Sequence, residues 1–527
     1  MRSSSRTIFT LCLALWACAA QGQQSPPAAP APAGKKAPQA PAEPQPAKHT
    51  DKVAASPQAS VLIEAEPSWV IAPPADGAVS LPPSAVHYEY IDRQCVLRGD
   101  GEIRYERLLR VVDTGAGLEA AAQIQLEFDP SYQSLVLHHI RVIRDGKAIN
   151  QLDRRKIRLL ERETQLERQQ YDGRVTASIV LEDVRVGDRV DFAYSVRGRN
   201  PVFAGRFVDA DLMVAQRGPT GTYRSRLLAP AGREIAFRAP ADAVVVTHVE
   251  KDLRETIFTR HGLAQLVPDA MAPDSAYLGE ELFLSEFRDW ADVDAWAQRT
   301  LAVPSQGPGV KAKAEEIAAA TTDPVERATL ALDFVQREIR YFGTEIGLGS
   351  HRPTEPETVL RQRYGDCKDK VMLLVALLQQ MQIEAAPALA SVHYREHVDG
   401  MLPSPLDFDH AIARVRIGDK SYWLDATRAR QSGPLERRQA SGLGMVLVAA
   451  PGESRLVAVP LPFAETRMAV TDVFRFEKTA GDPQLEARIR YRGDLAELMR
   501  EALQTKTPDE MQKLVFSPYV RLYPQIQ

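Results

Sequence analysis

The stretch Arg363-Tyr364-Gly365-Asp366-Cys367-Lys368-Asp369-Lys370 leads into a pattern in which Val371, Leu374, Val375, Leu378 and Met381 share one face at helical spacing. Cys367 therefore falls in the first turn of a helix, behind a glycine and with Asp366 placed to cap the N-terminus. The partial positive charge of a helix N-terminus favours an anion, so it lowers the pKa of a thiol there. Its exposed amides can also hold the oxyanion that forms when a thiolate attacks a carbonyl. Downstream, Phe408-Asp409-His410-Ala411-Ile412-Ala413-Arg414-Val415-Arg416-Ile417, then Gly418-Asp419, then Lys420-Ser421-Tyr422-Trp423-Leu424-Asp425 read as a hairpin. A two-residue loop at Gly418-Asp419 sets Asp425 across from Ile412 and diagonal to His410 on the same sheet face, and a centre at Ile417-Gly418 sets the two directly opposite. A three-residue loop would send them to opposite faces. Cys367, His410 and Asp425 are the types a relay needs: a thiol nucleophile, an imidazole to take and return the proton, and a carboxylate to fix the ring.

Several elements must position these groups. Ala295 to Val303, Val310 to Ala320, and a segment opened by Asp323-Pro324 with Ala328, Leu332, Val335 and Ile339 predict helices ahead of the one at Cys367. Strand-like text resumes from Ala388 to Asp425, so residues 288–452 are expected to form an α+β domain. Residues 61–287 predict a mostly β, sandwich-like domain. Val136 to Ile143 precede the turn pair Asp145-Gly146, Ala177 to Leu181 follow, and Val190, Phe192, Tyr194 and Val196 alternate after Gly187-Asp188. Residues 453–527 read as a short β-rich segment, with strands at Met468 to Phe476 and Leu485 to Tyr491 and a helical stretch from Leu495 to Leu503.

Ahead of the β domain, residues 23–60 are rich in Pro, Ala and Gln, with eight prolines between Pro26 and Pro46, the composition of an extended linker. Residues 1–22 have the layout of a signal peptide: Arg2 and Arg6, an apolar run from Ile8 to Ala20, then small residues. The run falls short of the roughly 20 residues a transmembrane helix needs, so no transmembrane anchor is expected. Leu15-Trp16-Ala17-Cys18 resembles a bacterial lipoprotein cleavage site, which leaves a lipid tether through Cys18 as a second option. Either way the protein is expected in the periplasm or cell envelope.

The motifs Gly365-Asp366-Cys367-Lys368-Asp369-Lys370, Phe408-Asp409-His410-Ala411-Ile412 and Trp423-Leu424-Asp425-Ala426-Thr427 resemble the three core motifs of bacterial transglutaminase-like proteins that carry an N-terminal DUF3857 domain. Ile339-Arg340-Tyr341 and Glu345-Ile346-Gly347-Leu348-Gly349-Ser350-His351 are similar to the same family. Within the β-rich text, Tyr171-Asp172-Gly173-Arg174 and Val186-Gly187-Asp188-Arg189-Val190 resemble its N-terminal domain. The resemblance implies a papain-like α+β core with Cys367 as nucleophile, His410 as general base and acid, and Asp425 as the orienting residue. It also implies acyl transfer through a thioester, ending in transamidation, in hydrolysis, or in no chemistry in degenerate members. Two departures stand out: Asp409 occupies the family's usual Asn position, where its charge would raise the pKa of His410, and the C-terminal region is short.

Composition bounds the alternatives. With 65 Lys and Arg against 69 Asp and Glu, the net charge of −4 argues against nucleic acid as a partner. The basic run Arg154-Arg155-Lys156 reads as a solvated strand face, and Lys368 and Lys370 read as solvated side chains. His393 and His397 have i, i+4 spacing but sit near Gly400, Pro403 and Pro405, which suggests a loop, and His138-His139 in a strand point to opposite faces. Neither pair predicts a metal site, and no motif implies a cofactor. If the leader is removed, Cys95 and Cys367 remain. Cys95 lies in strand-like text as a small hydrophobe, and a Cys95–Cys367 bridge would silence the thiol. Two functional readings result: an exported cysteine acyl-transfer enzyme acting on peptide or protein amides, cell-wall peptide among them, or a catalytically silent scaffold that binds partners at the envelope.

Overall fold

The computed structural model describes residues 60–526 except 74–79, 100, 162–169, 270–271, 303–306, 429–430, 439, 441, 461–466 and 477–482. The signal peptide expected over 1–22, Cys18 and nearly all of the linker expected over 23–60 lie outside the described residues. Pro57–Gln504 form one compact unit, and the helix Pro508–Leu522 belongs to a second.

The β domain is built on a nine-stranded sheet whose centre runs Ser134–Arg144, Arg189–Arg197, Gly101–Val112, Val86–Arg98, Thr220–Pro230 and Leu253–Leu263 in spatial order. Most neighbours are antiparallel, and Thr220–Pro230 runs parallel to Val86–Arg98. A three-stranded sheet, Gln123–Phe128, Val175–Val180 and Arg158–Glu161, packs on it. Alternation decides the packing: Ile124, Leu126 and Phe128 turn inward to meet Leu108, Ile140 and Phe192 from the large sheet, while Gln123, Gln125 and Glu127 stay exposed. The sandwich-like, mostly β layout expected from the sequence is present. Asp145 and Gly146, with φ of 50° and 74°, form the tight turn their types predict. Arg154-Arg155-Lys156 is not a strand face: it is a 3-10 turn capped by Asp153, whose carboxylate accepts from Arg155 N at 2.9 Å, and the strand begins at Arg158.

Helices α1 (Trp290–Thr300), α2 (Pro308–Ala320), α3 (Pro324–Glu338), α4 (Pro356–Gln362) and α5 (Cys367–Gln380) follow. They lead to a five-stranded antiparallel sheet ordered Lys420–Leu424, His410–Ile417, Glu384–Ala390, Met445–Val448 and Leu456–Ala458. Helix α5 is the centre of this half. Val371 and Leu373–Leu378 are all buried, packed between α2, α3 and the sheet face carrying Ala411, Ala413 and Val415. That all-round burial is why its sequence is apolar beyond a single stripe. The strand-like text from Ala388 to Asp425 is interrupted by 3-10 turns at Arg395–Gly400 and Pro405–Asp407. Toward the C-terminus, strands Arg467–Arg475 and Gln484–Arg492 pair as a hairpin, followed by a helix over Asp494–Thr505. The further helix Pro508–Leu522 was not read from the sequence, although its Thr507-x-x-Glu510 capping box carries a recognisable signature.

Candidate active site

Cys367 is the first residue of α5, and its setting is fixed by a reciprocal cap. Asp366 Oδ1 accepts from Asp369 N at 3.1 Å, and Asp369 Oδ2 accepts from Asp366 N at 3.2 Å. The other oxygen of Asp369 accepts from Thr354 N at 2.7 Å, so one buried carboxylate joins the loop before α4 to the first turn of α5. Burial and the neighbouring Asp366 push Asp369 up to about 6. Gly365 is required here, because a Cβ would lie 2.6 Å from Cβ of Asp369. The first intrahelical bond runs from Lys370 N to Asp366 O at 3.0 Å. The cap takes Asp369 N, and the N–H groups of Cys367 and Lys368 keep no acceptor among the described residues.

The hairpin has the two-residue loop. Ile417 pairs with Lys420 and Ala413 with Leu424, and Gly418 takes φ 58° where the turn needs a residue without a Cβ. Continued by one residue, this register brings Asp425 to His410's face, and His410 Nε2 lies 3.0 Å from Asp425 Oδ2. Asp425 Oδ1 accepts from Thr427 N at 2.8 Å and Thr427 Oγ1 at 2.7 Å, and its backbone carbonyl accepts from Gln336 Nε2 at 2.9 Å. Burial opposes the charge on Asp425, yet His410 and the Thr427 hydrogen bonds outweigh it and hold the carboxyl at about 2. At His410, burial disfavours the imidazolium. The Asp425 carboxylate, hydrogen-bonded to the ring, and the neighbouring Cys367 overcome that and raise its pKa well above 6.5. The three residues singled out from the sequence thus lie together, the imidazole bonded to the carboxylate with the cysteine as its neighbour.

Other expectations need correction. Lys368 and Lys370 are not solvated: both are buried, Lys368 pairing with Asp366 and Lys370 donating to Ile339 O at 2.6 Å. Burial pushes Lys370 down to about 8, with Asp425 acting the other way. Helical periodicity placed them correctly, but their charge hid their burial. Asp409 does not face His410. Its carboxylate accepts from Val392 N at 2.8 Å and pairs with His393 at 3.2 Å, so the elevation of His410 comes from Asp425 and Cys367. His393 precedes the 3-10 turn at Arg395–Gly400 and His397 lies within it, and both are exposed. Trp423 is core, packed with Ile412 and Val446. Cys95 and Cys367 are both free thiols, Cys95 on strand Val86–Arg98. His138 and His139 contact different partners: Ser195 and Glu64 O for one, Asp191 and Glu66 for the other. Thr427 and Gln336 were missed as supports of Asp425. The Asp425-Ala426-Thr427 spacing of an Asx turn could have revealed the first, while no local signal marks Gln336. Among the described residues no cluster of three or more His, Cys, Asp or Glu is arranged to hold a metal ion.

The β domain grips the loop just upstream of this site. Thr344 pairs with Tyr171, and Glu345 N donates to Tyr171 O at 2.8 Å. Asn200 Nδ2 donates to Gly347 O at 3.1 Å and Ser350 Oγ at 2.9 Å. Trp296 Nε1 donates to Val202 O at 2.9 Å, and Phe203 meets His351 edge-on at 5.2 Å. Burial pushes the His351 imidazole down to about 4. A buried apolar cluster containing Val202, Phe203, Phe287, Trp296, Met372 and Phe408 crosses the join, which makes the two domains one packed body.

The comparisons agree with this division. Residues 98–265 match the model of DUF3857, a domain of unknown function with a solved structure, and residues 311–426 match the core model of the transglutaminase-like superfamily. A crystal structure of a "putative protease" from Parabacteroides distasonis is similar in fold, with a TM-score of 0.59 at 14% identity, over 75% of this chain and 79% of that one. No curated protein matches the chain. The chain thus carries a DUF3857 domain over residues 98–265 and a transglutaminase-like domain over residues 311–426.

Proposed function

We propose that the protein is an exported cysteine acyl-transfer enzyme that cleaves peptide or protein amides through a thioester. The observation that carries this reading is that His410 bonds to the Asp425 carboxylate at 3.0 Å and neighbours Cys367, the first residue of a buried helix. The Cys367 sulfur attacks the acyl carbonyl while its proton passes to His410, and the oxygen takes the negative charge beside the free N–H groups of Cys367 and Lys368. As the C–N bond breaks, the imidazolium returns its proton to the leaving amine. Water or a second amine then attacks the thioester, giving hydrolysis or transamidation. Asp425 keeps the ring oriented and stays ionised throughout. Placement in the periplasm or cell envelope, with peptide or cell-wall peptide as substrate, rests on the leader-like residues 1–22 and on the relay's amide chemistry.

Hydroxylamine tests this, because it intercepts an acyl-thioester as a hydroxamate and releases the thiol. The chain is incubated with a pool of peptides and cell-wall stem peptides, and hydroxamates are read by mass spectrometry. Their formation by the native chain and its loss in Cys367→Ser supports the enzyme. Equal, background-level product from both proteins favours the silent scaffold, whose contact surface would be the β domain.

A further inference from the structure

The core of the β domain holds a cleft of about 250 Å³ between the large sheet and strand Val208–Leu212. Cross-strand register sets Arg93 opposite Glu106 and Arg104 opposite Cys95, all on the face that looks into it, and Asp209 and Asp211 close it from the other side. A core needed only for stability would fill such a space with apolar side chains, since buried ion pairs rarely outperform them.

The pairing inside is incomplete in a particular way. Arg93 Nη1 binds Asp211 and its Nε lies 3.5 Å from Glu106 Oε2, while Arg104 binds Glu102 through Nε and Asp209 through Nη1 at 2.5 Å. Neither Nη2 has a partner among the described residues, and the two side chains are 42% and 40% exposed. Their guanidinium carbons lie 5.7 Å from the Tyr223 ring centroid and 5.8 Å from that of Phe207, which holds them in place. Three arginines, Arg93, Arg104 and Arg226, and four carboxylates, Glu106, Glu127, Asp209 and Asp211, line the cleft, and Glu102 adds a fifth carboxylate as a partner of Arg104. Glu106 Oε2 accepts from Tyr194 at 2.8 Å, while its Oε1 and Asp209 Oδ2 accept no hydrogen bond from the described residues. The cleft therefore offers unused donors beside a surplus of negative charge.

We propose that this cleft binds the amino end of a short peptide or an amino acid. The ligand's ammonium would meet Glu106 and Asp209, and its adjacent carbonyl oxygen would accept from Arg93 and Arg104. A simple anion is disfavoured by the excess of carboxylates, and a simple cation leaves the guanidinium edges unmatched.

The site is tested by calorimetric titration of the full chain carrying Cys367→Ala, which prevents turnover, with trialanine, N-acetyl-trialanine and N-acetylglucosamine as probes. Trialanine is expected to bind at one site, and acetylation, which removes the ammonium, should weaken it about tenfold or more. The variants Asp209→Asn and Glu106→Gln should weaken trialanine to a similar degree while the acetylated probe is unaffected. Equal binding of the two peptides, binding of the sugar alone, or no binding of trialanine would each overturn the proposal. The probe comparison needs no substitution in the cleft, so it stands even if a cleft variant fails to fold.

Discussion

Replacing Asp425 by Asn removes one negative charge from the relay while keeping the side chain's size and an oxygen for Thr427. The carboxyl is held at about 2 rather than 3.8 despite its burial. That difference corresponds to about 2 kcal/mol of net preference for the charged form. His410 is the largest favourable contributor, and interaction between two titrating groups is reciprocal, so the imidazolium loses stabilisation of the same order in the variant. A step in which His410 must hold a proton while the sulfur attacks should then slow by a factor on the order of 30. The assay is iodoacetamide alkylation of Cys367 followed by peptide mapping, from about pH 6 to pH 9, comparing native, Asp425→Asn and His410→Ala chains. The native rate should persist well below the free-thiol pKa of about 8.5, where an unassisted thiol is slow, and the variants should converge on it only above that value. Superimposable profiles for the native chain and Asp425→Asn would refute the reasoning, because the carboxylate would then do nothing for the imidazole.

Three further outcomes follow from the same geometry. Lys370 is buried and its pKa is lowered from 10.5 to about 8, so its charge costs about 3 kcal/mol below pH 8, and that cost fades as pH rises toward 10.5. Urea unfolding should accordingly show the native chain gaining stability relative to Lys370→Met between about pH 8 and pH 10, and a flat difference would contradict this. Gly365→Ala forces a Cβ to within 2.6 Å of Asp369 and should loosen the cap, costing about 1 kcal/mol and slowing Cys367 alkylation, and an unchanged midpoint and rate would count against it. Trp296→Phe strands the buried Val202 carbonyl and should destabilise the chain by about 1–3 kcal/mol in the same unfolding assay, whereas a neutral result would mean the domain join does not depend on that hydrogen bond.

Much of this protein was legible because its signals are local. Helix periodicity and capping chemistry depend on residues three or four apart, so the start of α5 at Cys367 and its Asp366 cap could be read directly. Strand alternation reduced the placement of His410 and Asp425 to loop length, which the sequence left open between two and three residues; the observed two-residue loop puts them on one face. What only the tertiary structure decided involves residues far apart in the chain and the dielectric they create together. Lys368 and Lys370 have the charge of surface residues, yet the fold buries them and sets Asp366 and Ile339 O as their partners. Asp409 stands beside His410 in sequence, but strand alternation turns it toward Val392 and His393. Gln336 reaches Asp425 across 89 residues of chain, and Asn200 reaches Ser350 across 150. The charged cleft around Arg93 and Arg104 exists only because four strands and their cover converge there, and no window of sequence contains more than a fraction of it.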